Sequence, residues 1–285
     1  MADRRKVKRR ITGVQNIAKI TRAMEMIAAS KMRRAQDRGL AGRPYSEKIQ
    51  QVISNLAAIP DIGLQHPLLR QRPTHKITVL HITPDRGLCG GLNSNLNRNL
   101  AAFILKQEVP VQVIAIGRKG RDFSVRQGID MAAEFTDMGD RPGLLDTLPI
   151  SHIIIDDYST AAIDMVYISY ARFVSTMVQT PVMKQLLPVE PSPIPAASNV
   201  DYIYEPDAEA VLGGLLPRFV EMQIYHAILE SIASEQSARM VAMRNATDSA
   251  NELIGDLTLL YNKARQEAIT TELLDITGGV SALED

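Results

Sequence analysis

The stretch from residue 217 to residue 277 constrains this chain more than any other. It reads PRFVEMQIYHAILESIASEQSARMVAMRNATDSANELIGDLTLLYNKARQEAITTELLDIT, with one proline, at its first position, and one glycine, Gly255. Ala, Leu, Met, Glu, Gln and Arg fill most of it, and all are good helix formers. As a single helix it is about 90 Å long at about 1.5 Å per residue. A globular domain needs no helix of that length, so the stretch predicts a coiled coil, a membrane span or a shaft. It is too charged to span a bilayer, and it therefore needs a protein partner.

Charge points to that partner. Over its 285 residues the chain balances 32 Lys and Arg against 32 Asp and Glu, which by itself suggests neither nucleic acid nor acidic substrates. The balance hides an asymmetry. Residues 1–60 carry 14 Lys or Arg and 4 Asp or Glu, residues 61–200 carry 13 of each, and residues 201–285 carry 5 and 15. The two ends are electrostatic complements.

The basic end is periodic. Val7, Ile11, Val14, Ile17, Ile20, Met24 and Ile27 recur at spacings of three and four, which predicts one apolar stripe on a helix. A weaker stripe (Tyr45, Ile49, Val52, Leu56, Ile59) follows a predicted break around Gly39, Gly42 and Pro44, and Pro60 ends the segment. Such a helix has three possible uses: lying on an anionic membrane, binding nucleic acid, or pairing with the acidic C-terminal helix. The last accounts for both ends at once. Leu253, Leu257, Leu260 and Ala264 give a 4-3-4 seam, and Leu212, Leu216 and Phe219 begin another. Seams of opposite charge favour pairing with each other. One helix leaves a middle domain and the other returns to it, so the pair is expected to be antiparallel. The first twenty residues are basic and amphipathic like a transit peptide, but their apolar period continues past Met32, and they read as part of the mature helix.

The middle of the chain changes pattern. Residues 76–82 (KITVLHI), 111–116 (VQVIAI) and 152–156 (HIIID) are short and nearly continuously apolar, as strands buried on both faces are. Residues 93–107 between the first two are helical in spacing (Leu96, Leu100, Ile104), and 117–126 reads as a further helix. Strand, helix, strand predicts a βαβ unit and a small doubly wound domain. Residues 165–178 and 182–189 read as an antiparallel extension, PVEPSPIPAAS from Pro188 as an extended connection, and Glu205-Pro206-Asp207 as a helix start.

Chemistry is scarce. The glycine turn at residues 85–93 (DRGLCGGLN) follows the first strand and opens a helix, where phosphates bind in α/β proteins. It is neither GxGxxG nor a P-loop, and a tight packing turn is the simpler reading. Cys89 within it is the only cysteine, so no internal disulfide is possible and a reducing compartment fits. It reads as a small buried hydrophobe rather than a nucleophile. The five histidines form no metal motif, and Asp156-Asp157 reads as a solvated pair at a strand end. No apolar run is long enough for a membrane helix. No catalytic residue, cofactor or metal site is expected.

These segments together resemble the gamma subunit of F-type ATP synthases over essentially the whole chain. The resemblance rests on residues 11–31 (ITGVQNIAKITRAMEMIAASK), the turn at 85–93, residues 201–207 (DYIYEPD), residues 240–253 (MVAMRNATDSANEL) and residues 261–279 (YNKARQEAITTELLDITGG). It implies an α/β fold, with a long antiparallel coiled coil of N- and C-terminal helices (1–60 and 206–285) and a Rossmann-like middle domain (61–205). It implies a non-catalytic rotor shaft of a proton-translocating synthase, which couples c-ring rotation to conformational change at the beta-subunit catalytic sites. The implied partners are three alpha and three beta subunits, an epsilon subunit and the c-ring, with no nucleic acid, no homo-oligomer and membrane contact only through the c-ring. Carried over residue by residue, the resemblance puts Arg265, Gln266, Thr270 and Glu272 against a beta subunit high on the shaft. It puts Met24, Arg22 and Lys31 at a neck facing acidic beta-subunit segments, and Tyr204 and Glu205 on the c-ring. Asp275 and Thr277 depart mildly from the family's Glu and Val. The cysteine pair of chloroplast relatives is lacking, so their redox control is not expected. With the signatures starting by residue 11, the expected setting is the cytoplasmic side of a bacterial plasma membrane. The alternative is a nucleotide-binding α/β protein with a coiled-coil arm, resting on the glycine turn alone.

Overall fold

The computed structural model describes residues 2–57, 66–190 and 204–284. Pro60, the proline-rich connection from residue 191, and residues 201–203 lie outside the described residues. The chain divides into two compact units, Met1–Ala28 with Met240–Asp285, and Ala29–Arg239. Helix α1 (Ala2–Ala57) and helix α5 (Ala208–Glu284) each contribute to both.

The first unit is an antiparallel helix pair. Thr21 and Thr247 hydroxyls hydrogen-bond at 2.7 Å, and Arg244 donates to Glu25 at 3.0 Å. As the residue number rises along α1 its partner's number falls along α5, which fixes the direction. On α1 the inward positions are Val7, Ile11, Val14, Ala18, Thr21, Glu25 and Ala28. On α5 they are Met243, Thr247, Ala250, Ile254, Leu257 and Tyr261. Both series step alternately by three and four, the heptad spacing of a coiled coil. Val14, Ala18, Ala250 and Leu257 form its buried centre, with Val7, Ile11 and Ile254 against it.

The seam differs in phase from the stripe predicted by apolar period. Ile17, Ile20 and Ile27 point outward, 53%, 60% and 54% exposed, and Leu253 and Leu260 are likewise exposed. Two stripes with the same spacing share Val7, Ile11 and Val14 and then diverge by one residue. The more apolar one faces out. Small residues at the seam bring the backbones close, and the threonines and Glu25 find partners across it, so their burial leaves no unsatisfied group.

The second unit is a five-stranded sheet, β1 (Ile77–Ile82), β2 (Val111–Ile116), β3 (Met131–Phe135), β4 (Met165–Phe173) and β5 (Gln179–Leu187), in the order β3-β2-β1-β4-β5. The first four strands are parallel and β5 runs antiparallel to β4. Side chains alternate across it with period two. Leu80, Ile82, Ile114, Ile116, Val166 and Ile168 join the larger core, with Ile53 and Leu56 of α1, Ile150 and Ile154 of α4 (Leu144–Ser159), and Leu216 and Val220 of α5. Ile77, Val79, Val113 and Ala115 face the other way, onto Leu100 and Phe103 of α2 (Leu92–Ile104) and Phe123 of α3 (Arg118–Gln127). Both faces are covered, which is why the central strands read as unbroken apolar runs.

The expected antiparallel extension is only half so, since β4 runs parallel to β1 and β5 alone is antiparallel. Two further expectations are corrected here. Residues 152–156 are not a strand but the centre of α4, in which Ile150, Ile154 and Tyr158 are buried four apart while Ile153 and Ile155 pack at the edge of the core. A short apolar run in a helix that is mostly buried has the composition of a buried strand, and the true third parallel strand, β3, alternates weakly and escapes notice. The predicted break near Gly42 is also absent, since α1 runs through it with Pro44 inside. A Cβ on Gly42 would lie 2.4 Å from the His226 ring, so the glycine serves a close approach of α1 to α5 within this unit. At the start of α5 the Asp207 carboxylate accepts from the Ala210 amide at 2.8 Å, an N-terminal cap as expected.

Candidate functional site

Open parallel sheets bind ligands beyond the carboxyl ends of the strands where the strand order reverses. Here that point lies between β1 and β4, and the turn at residues 85–93 follows β1 directly. The structure packs this region with its own side chains. His81, on β1, is fully buried and hydrogen-bonds Ser169 of β4 and Asn97 of α2, each at 3.1 Å. Burial pushes its pKa down to about 4, the Asn97 hydrogen bond acting weakly the other way. Thr83 accepts from the Gly120 amide at 2.8 Å, and a Cβ on Gly117 would lie 1.9 Å from the Thr83 carbonyl oxygen.

The glycine turn itself is spent on packing. Asp85 accepts from the Arg118 and Asp137 amides at 2.9 and 3.2 Å. The Arg239 guanidinium donates to the Gly87 carbonyl at 3.2 Å and pairs with Glu235 at 2.7 Å, which clamps the turn to α5. Cys89 is buried with Leu92, Leu96 and Ala171 against Ala238. Burial raises the thiol's pKa, with Arg239 opposing, so at neutral pH it is a thiol and a packing group. Among the described residues no group of three or more His, Cys, Asp or Glu is placed to hold a metal ion.

The partner-contact residues implied by the resemblance lie elsewhere, and the structure groups them by element. Arg265, Gln266, Thr270 and Glu272 are all exposed on α5, with the Thr270 hydroxyl turned back onto the Gln266 carbonyl at 3.0 Å. On α1, Met24 is half-buried, and Arg22 is mostly exposed while touching Glu25 at 3.4 Å. Lys31 pairs with Asp140 at 2.5 Å. Tyr204 packs at the edge of the larger core and Glu205 is exposed. Reading by period missed the outward isoleucines and Leu253, Leu259, Leu260, Ile269, Leu273 and Leu274 of α5, all exposed. An exposed stripe of this kind marks an interaction surface. Its signal in the sequence was a surplus, since both helices carry more large apolar residues than one seam can hold.

Helices paired through small and polar residues turn large apolar and charged groups outward, an exterior of the kind that other protein chains cover. The comparisons with known proteins agree. The family model described as ATP synthase matches residues 3–283. The chain is 66% identical over 284 residues to an ATP synthase gamma chain of Dehalococcoides mccartyi, covering 99% of this chain and 100% of that one. It is 52% identical to the gamma chain of Herpetosiphon aurantiacus, over 99% of both. In fold it is similar to a chain in the OSCP/F1/c-ring structure of Euglena gracilis mitochondrial ATP synthase, with TM-score 0.66, 19% identity and coverage of 99% of this chain and 95% of that one. It is similar too to one in the central stalk and c-ring of the Tetrahymena thermophila enzyme, with TM-score 0.64, 24% identity and coverage of 80% and 99%. The chain belongs to the gamma-chain family of ATP synthases. Within such a synthase it is the rotor shaft, part of a membrane-associated complex, and no described helix is long and apolar enough to cross a membrane.

Proposed function

We propose that the chain transmits c-ring rotation to the beta-subunit catalytic sites while making and breaking no bond itself. The observation that carries this is the inversion of the helix pair: a seam satisfied within the chain and an apolar, charged exterior left for others. Residues 1–60 and 206–285 act as the shaft and 61–205 as its base. Arg265, Gln266, Thr270 and Glu272 meet one beta subunit at a time high on the shaft. Met24, Arg22 and Lys31 meet acidic beta-subunit segments, for which the +10 charge of residues 1–60 supplies short-range attraction. Tyr204 and Glu205 meet the c-ring, and an epsilon subunit shares the base. The ring around the shaft holds three alpha and three beta subunits. The ion carried is a proton, and the setting is the cytoplasmic face of a bacterial plasma membrane.

The packing of the glycine turn speaks against the nucleotide-binding alternative. Reconstitution tests the proposal: the purified chain is inert, and with alpha and beta subunits it yields an active ATPase. ATP hydrolysis by the chain alone overturns it. So does saturable nucleotide binding that is abolished by Gly87→Val, which places a nucleotide at the turn.

A further inference from the structure

Beside Lys31, α1 and the loop after β3 border a small niche of about 100 Å³ in the second unit. Its walls are Lys31, Arg34 and Arg38 on one face of α1 and Asp140 and Arg141 on the loop, and buried Ala35 and Leu229 form its floor. Four cations therefore surround one carboxylate. Lys31 takes that carboxylate at 2.5 Å. Arg34 folds back onto Ser30, donating to its carbonyl at 3.3 Å and its hydroxyl at 3.2 Å. Arg38 and Arg141 have no hydrogen-bond or ion-pair partner among the described residues.

Like charges gathered over an apolar floor repel, and one carboxylate leaves three of them uncompensated. The niche has room for several waters or one tetrahedral oxyanion. Arginine forks suit such an anion, because each donates two parallel N–H bonds to its oxygens. Asp140 reaches the niche from a loop in which Asp137 and Gly139 have φ of 59° and 76°, and Asp137 is anchored to Arg118. We propose that this niche binds a phosphate group, with Arg38 and Arg141 as the free ligands and Asp140 as an internal competitor that holds Lys31 when no phosphate is present. The small volume, about 100 Å³, favours a single phosphate group over a helix of acidic residues.

The test uses the purified full chain at low ionic strength, titrated with inorganic phosphate against chloride of equal ionic strength, read by calorimetry and by thermal unfolding. Saturable phosphate binding is expected. Arg38→Gln with Arg141→Gln should weaken it about tenfold or more, the loss of charge-assisted hydrogen bonds. Asp140→Asn should tighten it about two- to fivefold by removing the competitor. A merely structural Asp140 does not tighten anything. If the double variant fails to fold, Arg141→Gln alone, on the exposed loop, carries the same expectation in smaller degree. ATP in place of phosphate separates the sources: tighter binding lost in the same variants assigns a nucleotide's terminal phosphate, and equal or weaker binding assigns free phosphate. No saturable phosphate binding by the wild-type chain or by Asp140→Asn overturns the proposal. So does an acidic helical peptide that binds at these arginines and is not displaced by phosphate.

Discussion

The two units of this chain handle apolar side chains in opposite ways. In the sheet unit the largest are innermost: Leu80, Ile114, Ile150 and Leu216 are fully buried, and both faces of the sheet are covered. In the helix pair the centre is Val, Ala, Thr and a single Leu, while isoleucines and leucines face out. The first arrangement makes a core closed on itself. The second makes a surface that is satisfied only when something surrounds it.

Substitutions can break that contrast or sharpen it. The largest effect is expected in the sheet core, where Leu80→Ala should cost about 2–5 kcal/mol of unfolding free energy, measured by denaturant melts. A loss of comparable size, about 2–5 kcal/mol, is expected for Leu257→Asp, because an unpaired charge is buried at the seam. Unchanged melting in that variant would refute the seam.

His81 gives the sheet unit a pH dependence. Its folded pKa is depressed to about 4, so the folded state keeps it neutral. The unfolded state binds a proton below its ordinary value of about 6.5. The unfolded state therefore binds more protons between these values, and stability falls as pH drops from about 6.5 towards 4. The loss should be on the order of 1–3 kcal/mol, and His81→Gln should flatten that part of the stability–pH curve.

Smaller still, Thr21→Ala removes the 2.7 Å bond to Thr247 and should cost about 1 kcal/mol. Gly255→Ala should stabilise by about 0.5–1 kcal/mol, since a Cβ there meets open space in the chain alone and nothing in the structure explains the glycine. The smallest effect on the isolated chain is expected for Ile20→Ser on the outer face, within about 0.5 kcal/mol. The same variant should lower the yield of the complex with alpha and beta subunits. Equal losses in both assays would mean that the outer face serves the chain's own stability.

Much of the fold is legible in the sequence. Unbroken β-branched runs marked β1 and β2, and Leu96 and Leu100 marked the helix between them. Opposite charge on two long periodic helices marked the antiparallel pair. Less of the contact surface was legible. The exposed set Arg265 to Glu272 follows from resemblance and not from spacing, and apolar period puts the outward isoleucines inside, because a 3-4 spacing defines a stripe but two stripes fit it.

What the sequence determines by itself, then, is what depends on spacing and composition: that both ends of the chain are long helices, that their charges are opposite, and that β1 and β2 are unbroken apolar runs. The tertiary structure alone decided phase and context. It chose Ala18, Thr21 and Glu25 over Ile17, Ile20 and Ile27 for the seam, made HIIID a helix, and kept α1 unbroken at Gly42 so that His226 could pack on it. Each of those choices depends on a residue far along the chain, and a local pattern carries no record of what will be placed opposite it.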